Sequence, residues 1–359
     1  MPPKPAKRWT GFCYEFEYAH HTPKSSPARS QKQLEFSGIL RAAPRVGASE
    51  DCLNPSVWTE GVNDSGKRPV MHWIHGGGYD QGSCGALVYN GAGLARLHHV
   101  VVVSVNHRPN ALGYLFLGDL DGPEFAAVAN VGQLDLIASP VWVRDNISAF
   151  GGDPGKAMIF GQSGGDGKVS TLLGIPLAQR RAIESGASLR GVAGGAANQT
   201  TEKLLKALSL RSGQGRELQD VPLDERTAAA RAGNGFGPVV DGKVLPAHPF
   251  DPVASPISPE VPVMVGYTRT GRTVYDVDNP SYGKLDEAGL LDRVRRLVGD
   301  AAEKEIADYC KLSPNASPYE LATNIATDAS VMKSIRLAER HAALSKSATH
   351  LYVFAWETR

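Results

Sequence analysis

The run Gly161-Gln162-Ser163-Gly164-Gly165 constrains this chain most, because of what stands on either side of it. Before it, residues 157–160 make a short apolar run of strand type, and after it residues 168–173 open with helical spacing. A serine on so abrupt a strand-to-helix turn needs small neighbours, which let the strand and helix backbones approach closely. Ser163 then stands exposed at the carboxyl end of its strand, the position of a nucleophile. The plainer alternative is a helix-entry turn in which Ser163 only caps the helix.

The surrounding pattern is that of an α/β protein. Residues 70–74 and 100–105 are short, largely apolar runs bounded by turn residues, which fits strands buried on both faces of a mostly parallel sheet. Residues 91–98 between them read as a helix, giving a strand-helix-strand unit, and hence a central sheet with helices on both faces. Residues 130–150 carry helical spacing through Leu134, Ile137, Val141 and Ile147, and stop at Gly151-Gly152-Asp153-Pro154. Pro140 falls inside that pattern. An interior proline costs about 3 kcal/mol, so the helix is expected to bend or to start later. Residues 211–234, charged and glycine-containing, read as a mobile excursion from the sheet. Further on, 261–266 and 351–356 read as strands, and 285–298, 301–309 and 329–344 as helices. Residues 1–50 read as irregular surface chain with one short strand at 34–40.

Composition narrows the function classes. With 38 basic and 37 acidic side chains, the chain has no field that would draw nucleic acid or an anionic membrane. Its longest apolar runs, such as 100–103, fall far short of the ~20 residues of a membrane-spanning helix. The basic start, Met1 to Arg8, leads into a mixed stretch instead of an apolar signal core, so a cytoplasmic location is the default. Cys13, Cys52, Cys84 and Cys310 have no metal-ligand spacing and read as free, mostly buried thiols. Neither a metal nor a cofactor is implied.

A second motif, His75-Gly76-Gly77-Gly78, directly follows the strand at 70–74. Successive glycines allow backbone N–H groups to converge on one point, so the amides of Gly77 and Gly78, with that of Gly164, are candidates for an oxyanion hole. A merely flexible glycine turn is the alternative. His75 reads as a structural hydrogen-bonding residue rather than a base. Asp166 reads as a helix-start acid favoured by the helix dipole, although its charge would lie near a site meant for an oxyanion.

These motifs, in this order, resemble the type-B carboxylesterase family. The likeness extends through Ser49-Glu50-Asp51-Cys52-Leu53 with Val57-Trp58-Thr59, and through Asn130-Val131-Gly132 with Leu134-Asp135. It continues in Asn146-Ile147, Phe150 to Pro154, the elbow Phe160 to Ser163, Glu184-Ser185-Gly186-Ala187, and Gly237 to Gly242 with Leu245-Pro246. The resemblance implies an α/β-hydrolase fold and a single domain over residues 1–359. It implies hydrolysis of small-molecule carboxylic esters through an acyl-enzyme on Ser163, with Gly77, Gly78 and Gly164 as oxyanion donors and no cofactor.

The sequence also departs from the family pattern. Where the family carries its acid in a Thr-Arg-Thr-Glu-like turn, this chain reads Thr268-Arg269-Thr270-Gly271. The family's histidine lies beyond the strand at 351–356, and this sequence ends at Arg359. Lys7-Arg8-Trp9-Thr10-Gly11 resembles a point already inside the family's domain, so the domain is expected to be incomplete at both ends. His341 reads as part of a solvated helical face with Arg336, Glu339 and Arg340, and His350 sits at the wrong end of a strand. Asp276 and Asp278 have no spacing argument for replacing the acid. Two further readings therefore stand beside the esterase: a non-catalytic binding module on the same fold, and a truncated remnant.

Overall fold

The run Val101–Val105 is buried at every position, so both faces of its strand are covered. The computed structural model describes residues 47–125, 128–175, 180–184, 186–233, 235–271 and 283–356, together with His20, Pro23 and Thr273. The expected strand at 34–40, Cys13, the segment 7–11, Asp276 and Asp278 lie outside the described residues.

Among those residues, seven strands form one sheet: β1 (Pro55–Trp58), β2 (Arg68–Ile74), β3 (Val101–Val105), β4 (Gly152–Gln162), β5 (Arg180–Glu184), β6 (Val263–Thr268) and β7 (Thr349–Phe354). Their order is β1-β3-β2-β4-β5-β6-β7, with β1 antiparallel to β3 and every other pair parallel. From β2 the chain crosses to β3 on one side; from β4 it crosses to β5 on the other. The carboxyl ends of β2 and β4 thus flank the point where winding reverses, where ligands bind in open α/β sheets. Ile74 pairs with Gly161, so the glycine loop after β2 and the serine turn after β4 leave the sheet at one level.

One sheet face carries Val70, Ile74, Val101, Val103, Val105, Ile159, Val263 and Val265. On it pack Leu136 and Val143 from α2 (Val131–Asn146), Val169 and Leu172 from α3 (Gly164–Leu172), and Leu337 and Ala338 from α8 (Pro318–Leu344). The opposite face is lined around Trp73, which packs on Tyr89 and Phe160. The preceding short helix α1 (Ala92–His98) realises the strand-helix-strand unit.

Several expectations need correction. α2 begins at Val131 and runs through a buried Pro140, so the proline does not delay its start. Residues 211–233 depart from the sheet but are packed, not loose. Their helix α5 (Leu223–Gly233) packs beside α4 (Gly194–Ala207), and Leu218 and Ala230 join Tyr114, Leu204, Leu205 and Phe236 in a second core. α8 starts at Pro318, eleven residues before the expected 329, behind a capping box in which Ser317 and Glu320 exchange hydrogen bonds. Its first turns pack with α6 (Glu287–Val298) and α7 (Ala302–Leu312) through Leu290, Val294, Ala302, Leu321 and Ile325. Among the described residues Cys52, Cys84 and Cys310 form no disulfide; the first two are buried and Cys310 is exposed. Among the described residues no helix is long and apolar enough to cross a membrane.

Two polar clamps hold the connections near the sheet's carboxyl edge. Asn130 accepts from Val239 N at 2.9 Å and donates to Val239 O at 2.8 Å and Asp241 Oδ2 at 2.9 Å, joining two segments 109 residues apart. The buried carboxylate of Asp135 accepts from Arg108 N at 3.0 Å and Nε at 2.8 Å, and pairs with its Nη2, tying the chain after β3 to α2. Removing one partner of a buried pair strands the other charge, at about 3 to 5 kcal/mol. Arg108 keeps some water contact, so Asp135→Asn is expected to cost about 3 kcal/mol, the low end; a urea midpoint equal to that of the unmodified protein would disprove it.

Candidate active site

Ser163 closes β4 with φ 58° and ψ −122°, a conformation that a non-glycine residue holds only when its surroundings impose it. The strain sets the half-buried side chain above the sheet's edge while α3 starts immediately behind it. Gly167 N donates to Ser163 O at 3.2 Å, closing the first helical turn. Among the described residues the Ser163 hydroxyl has no hydrogen-bonded partner. The abrupt strand-to-helix turn expected at Ser163 is therefore present.

The glycine loop folds over this turn. Gly77 (φ 100°) and Gly78 (φ 64°) both take left-handed backbone that a side chain would strain. Gly164 lies so close that a Cβ on it would fall 2.4 Å from Gly78 N. The three expected oxyanion donors are thus brought together beside Ser163.

What orients those amides can be followed bond by bond. In a planar trans peptide the carbonyl and the next residue's N–H point in opposite directions. The His75 carbonyl accepts from Lys168 Nζ at 3.1 Å, the Gly76 carbonyl from His75 Nδ1 at 2.8 Å, and the Gly77 carbonyl from Gln81 N at 3.2 Å. Because a carbonyl only accepts, His75 carries its proton on Nδ1. With these carbonyls drawn back into the protein, the N–H groups of Gly76, Gly77 and Gly78 face the other way. His75 is fully buried and stacks on His107 with ring centroids 4.4 Å apart, which suits the structural role expected of it.

The remaining candidates fall elsewhere. Gly271 follows β6 in the turn after Thr268 and offers no carboxylate. His341 does not lie on a solvated face: it is buried on α8, with Nδ1 2.8 Å from Thr349 Oγ1 of β7. Its spacing with Ser334, Leu337 and Ala338, all buried, puts it on the helix's inner side. His350 is exposed at the start of β7, remote in strand direction from the site. Asp166 occupies the first turn of α3 as expected, but fully buried. Sequence reasoning missed Lys168. Its signal was available: on α3 it shares a face with Leu172, four residues on, at a position where a core residue is due.

The profile of the Carboxylesterase family matches residues 1–355. The chain belongs to that family. It is 32% identical over 323 residues to the para-nitrobenzyl esterase of Bacillus subtilis (strain 168), covering 85% of this chain and 62% of that relative. It is 33% identical over 290 residues to liver carboxylesterase 1 of Oryctolagus cuniculus, covering 74% of this chain and 50% of that one. The chain thus spans less than two thirds of the length of these curated relatives. Among solved structures, the carboxylesterase EST55 of Geobacillus stearothermophilus superposes with a TM-score of 0.77 at 36% identity, over 87% of this chain and 67% of that one. The fold is accordingly the α/β-hydrolase fold.

Proposed function

We propose that the protein is a carboxylic ester hydrolase working through an acyl-enzyme on Ser163, and that residues 1–359 act as one domain. The observation that carries this reading is the strained Ser163 facing the paired loop of Gly77 and Gly78, with Gly164 in contact. Ser163 Oγ bonds to the ester carbonyl carbon while the carbonyl electrons move to oxygen. The resulting oxyanion accepts from the amides of Gly77, Gly78 and Gly164, which require no reorganisation as charge develops. On collapse the bond to the alkoxy oxygen breaks, and that oxygen takes up, by way of solvent, the proton given up by Ser163 and leaves as the alcohol; water then adds to the acyl carbon, one of its protons returns to Ser163 Oγ, and the acid departs. Small-molecule esters are the substrate class, in keeping with family membership and with esterases among the relatives. The balanced charge supports no nucleic-acid partner.

A second reading, an esterase fold that binds without turnover, is favoured by one observation: Gly271 stands in the turn where the family places its acid. The two separate on incubation with a short-chain p-nitrophenyl ester. The hydrolase reading expects p-nitrophenol release above buffer and an acyl mass on the tryptic peptide containing Ser163. A folded protein that gives neither leaves the binding module.

A further inference from the structure

Lys168 has no exposed surface, and its neighbours on α3, Val169 and Leu172, are equally buried in the apolar core. An ammonium placed there carries a desolvation penalty of several kcal/mol that a methionine of similar length would avoid. What it meets is the site's own scaffold. Nζ donates to the His75 carbonyl at 3.1 Å and lies 5.8 Å from the centre of the Tyr79 ring, and both residues belong to the glycine loop or its continuation. That carbonyl shares its peptide plane with the Gly76 N–H, and the peptides that carry the Gly77 and Gly78 amides follow directly from it.

We propose that Lys168 is a positioning residue for ester hydrolysis: its buried ammonium holds the His75 carbonyl, and through it the glycine loop, in the orientation that aims the Gly77 and Gly78 amides at the oxyanion. The proposal rests on the hydrolase reading of Ser163. It goes beyond that reading by assigning a charged group that touches no substrate.

The groups facing Lys168 are His75, Tyr79 and Asp80 from the chain after β2, and His107 from the chain after β3; Asp166 shares its helix. Burial pushes the lysine from its ordinary range down to about 7, and Asp80 opposes the shift. Burial raises Asp80, against the pull of Lys168. Burial, with the lysine's charge and His75 adding to it, holds His107 well below the usual histidine range, so it stays neutral. Burial raises Tyr79 to about 12. Lys168 is thus charged below about 7 and loses its proton as pH rises through that value. The neutral amine is a weaker donor, so the clamp loosens on the alkaline side.

The test compares the full-length protein with Lys168→Met, using kcat and KM for p-nitrophenyl acetate across pH together with a crystal structure of each. A misaimed donor loop costs turnover more than binding. Below pH 7, kcat is expected to fall by about tenfold with KM within about twofold, and the decline of kcat as pH rises through about 7 should vanish in the variant. The His75–Gly76 peptide should rotate in its crystal structure. A variant with the original kcat profile and an unmoved loop overturns the proposal. If neither protein turns over ester but the loop rotates in the variant, the clamp stands and the hydrolase reading fails; an unmoved loop in that case sinks both. Lys168→Gln, which keeps a donor without the charge, replaces the methionine variant should that one not fold.

Discussion

Ser163→Ala is expected to eliminate the acyl adduct and to lower kcat for a short-chain ester by about 10³-fold. The size follows from what the site holds. Where a serine and its base act as a unit, losing the serine costs about 10⁶ in kcat, and general-base assistance alone accounts for about 10² to 10⁴ of such effects. Ser163 has no hydrogen-bonded base among the described residues, so only the part due to covalent attack and oxyanion stabilisation is available to lose. Alanine leaves the loop amides in place, so KM should hold within about threefold. Steady-state rates and intact-mass spectra of both proteins check this. A loss near 10⁶ would show that a base reaches Ser163 during turnover. An unchanged rate would remove Ser163 from the chemistry altogether.

The parts of the site legible in the sequence are those fixed by local backbone demands. Gly161-x-Ser163-x-Gly165 and His75 to Gly78 announce themselves because a strained turn and a left-handed loop restrict residue choice at consecutive positions. Their meeting is also readable once β2 and β4 are taken as neighbours, although neighbour order is a tertiary fact. Lys168 was missed because a lysine is ordinarily placed in water. Only its position opposite His75, 93 residues away in sequence, reveals a use for it.

Two errors have the same origin. Residues 211–234 look solvated because their charges outnumber their apolar residues, yet Leu218 and Ala230 suffice to seat the segment on Leu204 and Leu205. His341 looks solvated beside Arg336, Glu339 and Arg340, yet Arg340 itself turns back to the Phe250 carbonyl and Asp251. In both places nearby charge outweighed periodicity in the reading, and periodicity decided the fold. The early start of α8 was written in Ser317, Pro318 and Glu320, a capping signature that weak helix formers such as Thr323, Asn324 and Thr327 obscure downstream.

Gly165→Ala puts the relation between fold and site to the hardest test. A Cβ at this position would lie 2.2 Å from the Ile74 carbonyl oxygen and 3.3 Å from the His75 carbonyl carbon, both backbone atoms of the strand end that becomes the glycine loop. No side-chain rotation relieves such a contact, so α3 must move off β2 or the strand end must shift. Overpacking of a rigid interior costs about 1 to 3 kcal/mol, and so short a contact with a backbone oxygen belongs at the upper end. The same shift separates Ser163 from the Gly77 and Gly78 amides, because the clashing Ile74 oxygen directly precedes the loop that His75 begins. A displacement of about 1 Å at a reacting centre is worth about 10² in rate. Gly165→Ala is therefore expected to lower stability by about 3 kcal/mol and, in the fraction that remains folded, to reduce kcat by about 10²-fold. Urea unfolding and rates normalised to folded protein separate the two effects. Lost stability with an unaltered rate per folded molecule would mean that the strand end yields without carrying the loop along, and the coupling between sheet and oxyanion donors would have to be abandoned.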